Sequence, residues 1–184
     1  MTDIVLESVE DAPAREALLD LCMGEDWRAK SSERLREGRL PAEGLAFSAH
    51  GPDGRLVGTV RLWNVSAGPG KPALLLGPLA VHPWFRKDGL GGALMHAALD
   101  AARAKGHGAV VLVGDAPYYA RFGFSAAGTG DLWMPGPFAR DRLLGLELKA
   151  GALEGAHGLI SPTGVEIARP TLAELIAGAQ RRSA

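Results

Sequence analysis

The run Arg86-Lys87-Asp88-Gly89-Leu90-Gly91-Gly92 sets two cations beside three glycines. It follows the apolar stretch Leu74 to Val81 and the link His82-Pro83-Trp84-Phe85, and it opens a stretch rich in leucine and alanine. That order reads as strand, turn and helix start. Backbone N–H groups and the positive end of a helix dipole then converge on one spot and suit a phosphate-type anion. Glycine allows the anion close to the backbone and permits a positive φ, while Arg86 and Lys87 supply charged donors. A plain strand-to-helix turn is the alternative. Two familiar phosphate loops are excluded: Gly70-Lys71 is followed by Pro72 where a Walker loop needs Ser or Thr, and position 94, where a dinucleotide fingerprint needs its third glycine, is leucine.

The elements that must position this loop follow from pattern. Ile4 to Val9 has strand composition. Asp11 is expected to cap a helix carrying Pro13 in its first turn and Gly24 at its end, with Ala14, Ala17, Leu18, Leu21 and Cys22 on the buried face. A second helix is expected around Ser32 to Glu37. Leu45 to His50 and Arg55 to Trp63 flank Gly51-Pro52-Asp53-Gly54, a hairpin signal. After a loop from Ser66 to Pro72, the almost wholly apolar strand Ala73 to Val81 reads as central and covered on both faces. Pro78 within it cannot donate to a ladder, so a bulge or a splayed neighbour is expected there. The helix after the glycines runs to about Lys105, burying Leu90, Ala93, Leu94, Ala97, Ala98 and Ala101, with His96 on its wet face. Ala109 to Val113 is a buried strand parallel to the central one. A short helix from Tyr118 to Phe122 follows, then strands at Leu143 to Lys149 and within Phe124 to Leu132. Thr171-x-x-Glu174 is a capping box opening a last amphipathic helix.

The 184 residues suit one domain with a sizeable core. With a net charge of −1, neither nucleic acid nor a membrane is expected as partner. A single cysteine offers no internal disulfide and no thiol cluster for a metal. The N-terminus lacks a signal-peptide pattern, so a cytoplasmic protein is expected.

Arg86-x-x-Gly89-x-Gly91, directly after a strand ending in Val-x-Pro, closely resembles the acetyl-coenzyme A loop of the GCN5-related N-acetyltransferase (GNAT) family. The segment Tyr119-Ala120-Arg121-Phe122-Gly123-Phe124 matches that family's tyrosine four residues before the glycine of a Gly-Phe pair. With Gly114-Asp115 ahead of it, this part looks most like the YhbS-type acetyltransferases. The motifs cover roughly residues 74 to 124.

The resemblance implies an α/β (α+β) GNAT fold: a mixed sheet of about six to seven strands, splayed at its central parallel pair, with about four flanking helices and a C-terminal helix. Residues 1–160 would form the acetyltransferase domain and 161–184 an extension. Acetyl-CoA is the implied co-substrate, with no metal. Backbone groups at Leu79, Ala80 and Val81 would pair with its pantetheine arm, and Arg86, Lys87, Asp88, Gly89, Leu90, Gly91 and Gly92 would surround its pyrophosphate, Asp88 through its backbone alone. Tyr119 would serve the departing thiolate. Where the family often carries an asparagine beyond the fifth strand, Leu112 stands here. The implied reaction is direct attack by a primary amine of a small molecule or a protein, and a homodimer is compatible. No acidic residue lies in Leu74 to Val81, so the general base stays open among Glu25, Asp26, His82, Asp115, a water relay and simple deprotonation in bulk solvent. Trp27 and Trp133 are candidates for an acceptor wall or ordinary packing. A catalytically silent acyl-CoA sensor is the rival reading.

Overall fold

The computed structural model describes residues 2–168. Its strands are β1 (Asp3–Leu6), β2 (Ala46–His50), β3 (Leu56–Ala67), β4 (Pro72–Val81), β5 (Ala109–Val113), β6 (Leu132–Trp133), β7 (Leu143–Glu147) and β8 (Gly158–Pro162). Three α-helices stand among the described residues: α1 (Ala12–Met23), α2 (Leu90–Ala104) and α3 (Ala116–Ala120). The strands form one eight-stranded sheet in the order β1-β2-β3-β4-β5-β7, with β8 paired to both β3 and β6. Only β4–β5 and β6–β8 are parallel. The expected mixed sheet with a central parallel pair is present, with one strand more than expected. Three α-helices and several short 3-10 turns take the place of about four helices.

β2 and β3 form the hairpin that the Gly-Pro-Asp-Gly turn specifies. Between β3 and β4 the register shifts around Arg61, so Gly77 and Pro78 together face one residue of β3. This is the bulge that Pro78 calls for. The carbonyl of Gly77 is satisfied by the indole Nε1 of Trp63, which donates to it at 2.6 Å.

Helix α2 covers one sheet face. Leu90, Leu94, Met95, Ala98, Leu99 and Ala102 are its buried residues, whereas Ala93 is exposed. The helix is thus turned from the expected alanine stripe so that its larger side chains are buried, as area-proportional burial demands. They meet Val60, Leu62, Leu74 and Leu76 of the sheet. On the opposite face α1 and the turn Glu25–Ala29 bury Leu18, Leu19 and Trp27 over Ala80.

Helix α1 departs further from expectation. Arg15, not Ala14 or Leu21, shares the buried face with Leu18 and Leu19, and Leu21 is 58% exposed. The cause is ionic. Arg15 and Arg61 both pair with Glu7, whose side chain is 6% exposed. Asp11 precedes α1 without a side-chain cap bond; its carboxylate instead accepts from the Ser8 amide at 2.9 Å and meets His50 Nε2 at 3.1 Å. The helix expected over Ser32 to Glu37 is only a 3-10 turn, Glu33–Leu35, too short to nucleate an α-helix. β8 was not foreseen. It continues the sheet past residue 160 to Pro162, and Arg39 bridges to Glu166 beyond it. The helix expected from Thr171 lies outside the described residues. No helix among the described residues is long and apolar enough to cross a membrane.

Candidate active site

β4 and β5 pair only at Leu74–Val110 and Leu75–Val111. β4 then runs on to Val81 while β5 ends at Val113, and the space between them opens as a cavity of about 520 Å³. Leu79 and Val81 form one wall; Val113, Gly114 and Asp115 form the other. Tyr118 and Tyr119 close it from α3, and Met23, Lys30, Arg86, Gly91 and Arg142 complete it.

The ladder decides which backbone groups face this cavity. The amide of His82 donates to Val57 O at 2.8 Å. Bonded pairs alternate along an antiparallel ladder, so with this register Ala80 spends its amide and carbonyl on Thr59. Those of Leu79 and Val81 point the other way, to the open edge. The Val81 carbonyl is already engaged, accepting from Arg86 Nε at 3.2 Å and Cys22 Sγ at 3.3 Å. Ala80 contributes its methyl group to the packing under α1.

At the head of α2, Gly89 adopts φ 74°, and the first helical bond runs from the Ala93 amide to its carbonyl at 3.0 Å. The amides of Leu90, Gly91 and Gly92 are therefore left without helical acceptors. Gly91 and Gly92 border a second cavity of about 420 Å³, which shares Arg86, Gly91 and Tyr118 with the first. Lys87, Gly89 and Gly92 line this second space, together with His96 and Arg121. Asp88 is exposed and its amide donates to Phe85 O at 3.3 Å, while the Leu90 side chain is buried below the loop.

Helix α3 starts earlier than expected, at Ala116, because Asp115 caps it: Oδ2 accepts from the Tyr118 amide at 3.2 Å, and Pro117 sits in the first turn. Both tyrosines reach the cavity, at different depths. The Tyr118 hydroxyl lies over Gly91, 2.9 Å from where a β-carbon there would stand. Tyr119 is set deeper, its ring against Phe124 and Gly114. Burial pushes its phenol up to about 12, with Tyr118 and Asp115 adding to the shift and Arg142 opposing it.

Asp115 is the one carboxylate lining the cavity. His82 accepts the Trp84 amide through Nδ1 at 3.4 Å and lines a separate outer groove with Leu21 and His50. Asp26 is exposed on the turn that Glu25 opens. Neither tryptophan lines the cleft. Trp27 is buried, donates to Asp20 at 2.8 Å and lies under Arg28. Trp133 is 58% exposed on β6, edge-on to Phe138 and stacked by Arg140 at 4.3 Å. Leu112 is buried core and offers no polar group. Lys30 and Arg142 escaped the sequence reading, since each lies in a segment without periodic pattern and only the folded chain brings it to the cleft.

A sheet splayed at its parallel pair, with an amide seat at one end of the split and a tyrosine beneath it, defines an acetyltransferase architecture. Residues 12–124 match the Acetyltransferase (GNAT) family, and the chain belongs to that family. It is 34% identical over 151 residues to an uncharacterized N-acetyltransferase, YhbS of Escherichia coli K12, covering 82% of this chain and 89% of that one. The fold is similar to the crystal structure of YhbS from Escherichia coli in complex with CoA, at 33% identity and a TM-score of 0.74, covering 88% of this chain and 89% of that chain. It is also similar to a GNAT family acetyltransferase from Brucella melitensis in complex with acetyl-CoA, at 27% identity and a TM-score of 0.56 over 79% of this chain and 96% of the other.

Proposed function

We propose that this protein transfers the acetyl group of acetyl-CoA to a primary amine by direct attack. The observation that carries the reading is the continuity of three features. The free backbone edge of Leu79 and Val81, the open amides at the head of α2, and the Tyr119 phenol all border two cavities that share Arg86, Gly91 and Tyr118.

The edge of β4 receives the pantetheine amides as it would an added strand: Leu79 offers an amide and a carbonyl, Val81 its amide. The amides of Leu90, Gly91 and Gly92 take the pyrophosphate oxygens, with Arg86 and Lys87 supplying positive charge. Gly89 supplies the turn, and Ala80 and Asp88 act through the shape of the backbone.

The amine nitrogen then attacks the thioester carbon, the carbon–sulfur bond breaks, and one proton passes from nitrogen to sulfur overall. Tyr119 serves the sulfur, and its raised pKa says how. A phenol at about 12 facing a thiol near 8.5 would give up its proton uphill by about 5 kcal/mol. Tyr119 therefore stabilises the thiolate by donating a hydrogen bond, and remains protonated through the cycle. Asp115 stands on the cleft to take the amine's proton, in place of a carboxylate on β4.

The test is release of free thiol from acetyl-CoA over a panel of amines, comparing wild type with Tyr119→Phe. Turnover that collapses in the variant is expected. Tight CoA binding with no turnover of any amine would favour the sensor reading, which the lack of an acidic residue on β4 supports. No affinity for CoA would overturn both.

A further inference from the structure

The deep cavity carries charges that the acetyl-CoA reading does not use. Lys30 and Arg142 line it but not the cavity at the head of α2. They therefore stand at the end of the cleft away from the phosphate seat, where the acceptor must enter. Among the described residues neither makes a salt bridge.

Arg142 is also held in place. Its Nε donates to Gly114 O at 3.2 Å, and its own carbonyl accepts from the Gly114 amide at 2.9 Å. The residue is thereby fixed to the end of β5, with the terminal guanidinium nitrogens left for other acceptors. A planar fork held in this way suits a carboxylate. Against these cations and Arg86, the cavity wall offers only Asp115, one of whose oxygens is committed to capping α3. An acceptor whose only charge is positive would be repelled here, since like charges at close range are unfavourable.

We infer that the acceptor is a small primary amine that also carries a carboxylate, bound by Lys30 and Arg142 with its amino group turned toward Tyr119. This rests on the acetyltransferase reading for the place of the amine, though not for the anion preference itself. Charge repulsion also acts on the reactive group. Cations beside it favour the unprotonated amine, the form able to attack.

The experiment compares alanine, alaninamide and putrescine, with kcat/KM expressed per unionised amine. Alanine should exceed alaninamide by about ten- to a hundredfold, the range of a charge-assisted contact. Lys30→Gln and Arg142→Gln should each cut that ratio by about tenfold, Arg142→Lys should restore part of it, and Lys30→Glu should shift preference toward putrescine. Direct titration of the same amines onto the protein, with and without CoA, gives a readout independent of turnover. Selective binding of alanine that the variants lose, with no thiol release, would sustain the anion preference while overturning the enzymatic reading. A wild-type ratio of one or below, or a ratio unmoved by the exposed Lys30→Gln, would overturn this inference even if amines are acetylated freely.

Discussion

Tyr119 fills the space in which a side chain at position 114 would begin. A β-carbon built on Gly114 would stand 2.2 Å from Cε2 of that ring and 2.8 Å from Cδ2. The glycine that follows β5 therefore sets the depth of the phenol in the cleft. Gly114→Ala should displace the ring, lower stability by about 1–3 kcal/mol as overpacking does, and reduce thiol release about as far as loss of the hydroxyl. Denaturant unfolding and steady-state kinetics on the one variant check both outcomes.

Tyr119→Phe removes a hydrogen bond made chiefly when negative charge builds on sulfur. kcat should fall about a hundredfold, the usual cost of deleting one such donor, while the KM for acetyl-CoA changes little. A KM effect without a kcat effect would place the tyrosine in ground-state binding instead.

The chain has two tyrosines, so Tyr118→Phe leaves Tyr119 as the sole phenol to be followed by ultraviolet titration. Its ionisation should be centred well above the value of about 10 for a free tyrosine, because burial, the largest cause of the shift, remains, and below the wild-type value of about 12, because the charge of Tyr118 is gone. The sign for stability follows. Above pH 10 the unfolded chain loses its proton first, so this contribution is complete below that pH and declines as pH rises through the folded value.

Glu7 holds Arg15 and Arg61, with side-chain exposures of 6%, 9% and 16% respectively. Glu7→Gln would leave the mostly buried Arg61 without its counter-ion and Arg15 with only Glu16, at 3.1 Å, and should cost about 3–5 kcal/mol. An unfolding free energy from denaturant titration lowered by less than a tenth of that would show that water reaches the cluster.

Gly89, at φ 74° and with open space where its β-carbon would stand, tests conformation apart from crowding. Gly89→Ala meets no atom but must hold a left-handed backbone, at about 1 kcal/mol. CoA affinity, measured by titration, should drop several-fold. Gly91→Ala adds a contact at 2.9 Å with the Tyr118 hydroxyl, the end of a mobile side chain, and should be tolerated better than Gly114→Ala.

Local chemistry foretold much of this architecture. The β2–β3 hairpin follows from its turn residues, the β4 bulge from a proline that cannot donate, and the head of α2 from glycines after an apolar run. What escaped was decided by partners distant in sequence. Arg15 turns inward because Glu7, which lies outside the helix and also holds Arg61, meets it there, which no helical periodicity can express. β8 pairs with β3 and β6 across long loops, and its few residues lack alternation. Lys30 and Arg142 are ordinary surface cations until the fold sets them on one cavity. The family resemblance groups Ala80 with Leu79 and Val81; the ladder register separates it from them.

Among the described residues, the ladders joining the strands before α2 to those after it lie toward one end of the sheet. β4 meets β5 at Leu74 and Leu75, and β8 meets β3 at Val65, Ser66 and Ala67. Beyond these positions the two arms run free to Val81 and Val113. Mechanically this is a clothes peg, sprung at one end and open at the other. A small rotation at the fastened end becomes a large displacement at the tips, where the amide seat and Tyr119 are carried. Bulk added at Leu74 or Val110, buried and far from any reacting atom, should therefore alter the spacing of the jaws more than the same bulk added at their rim.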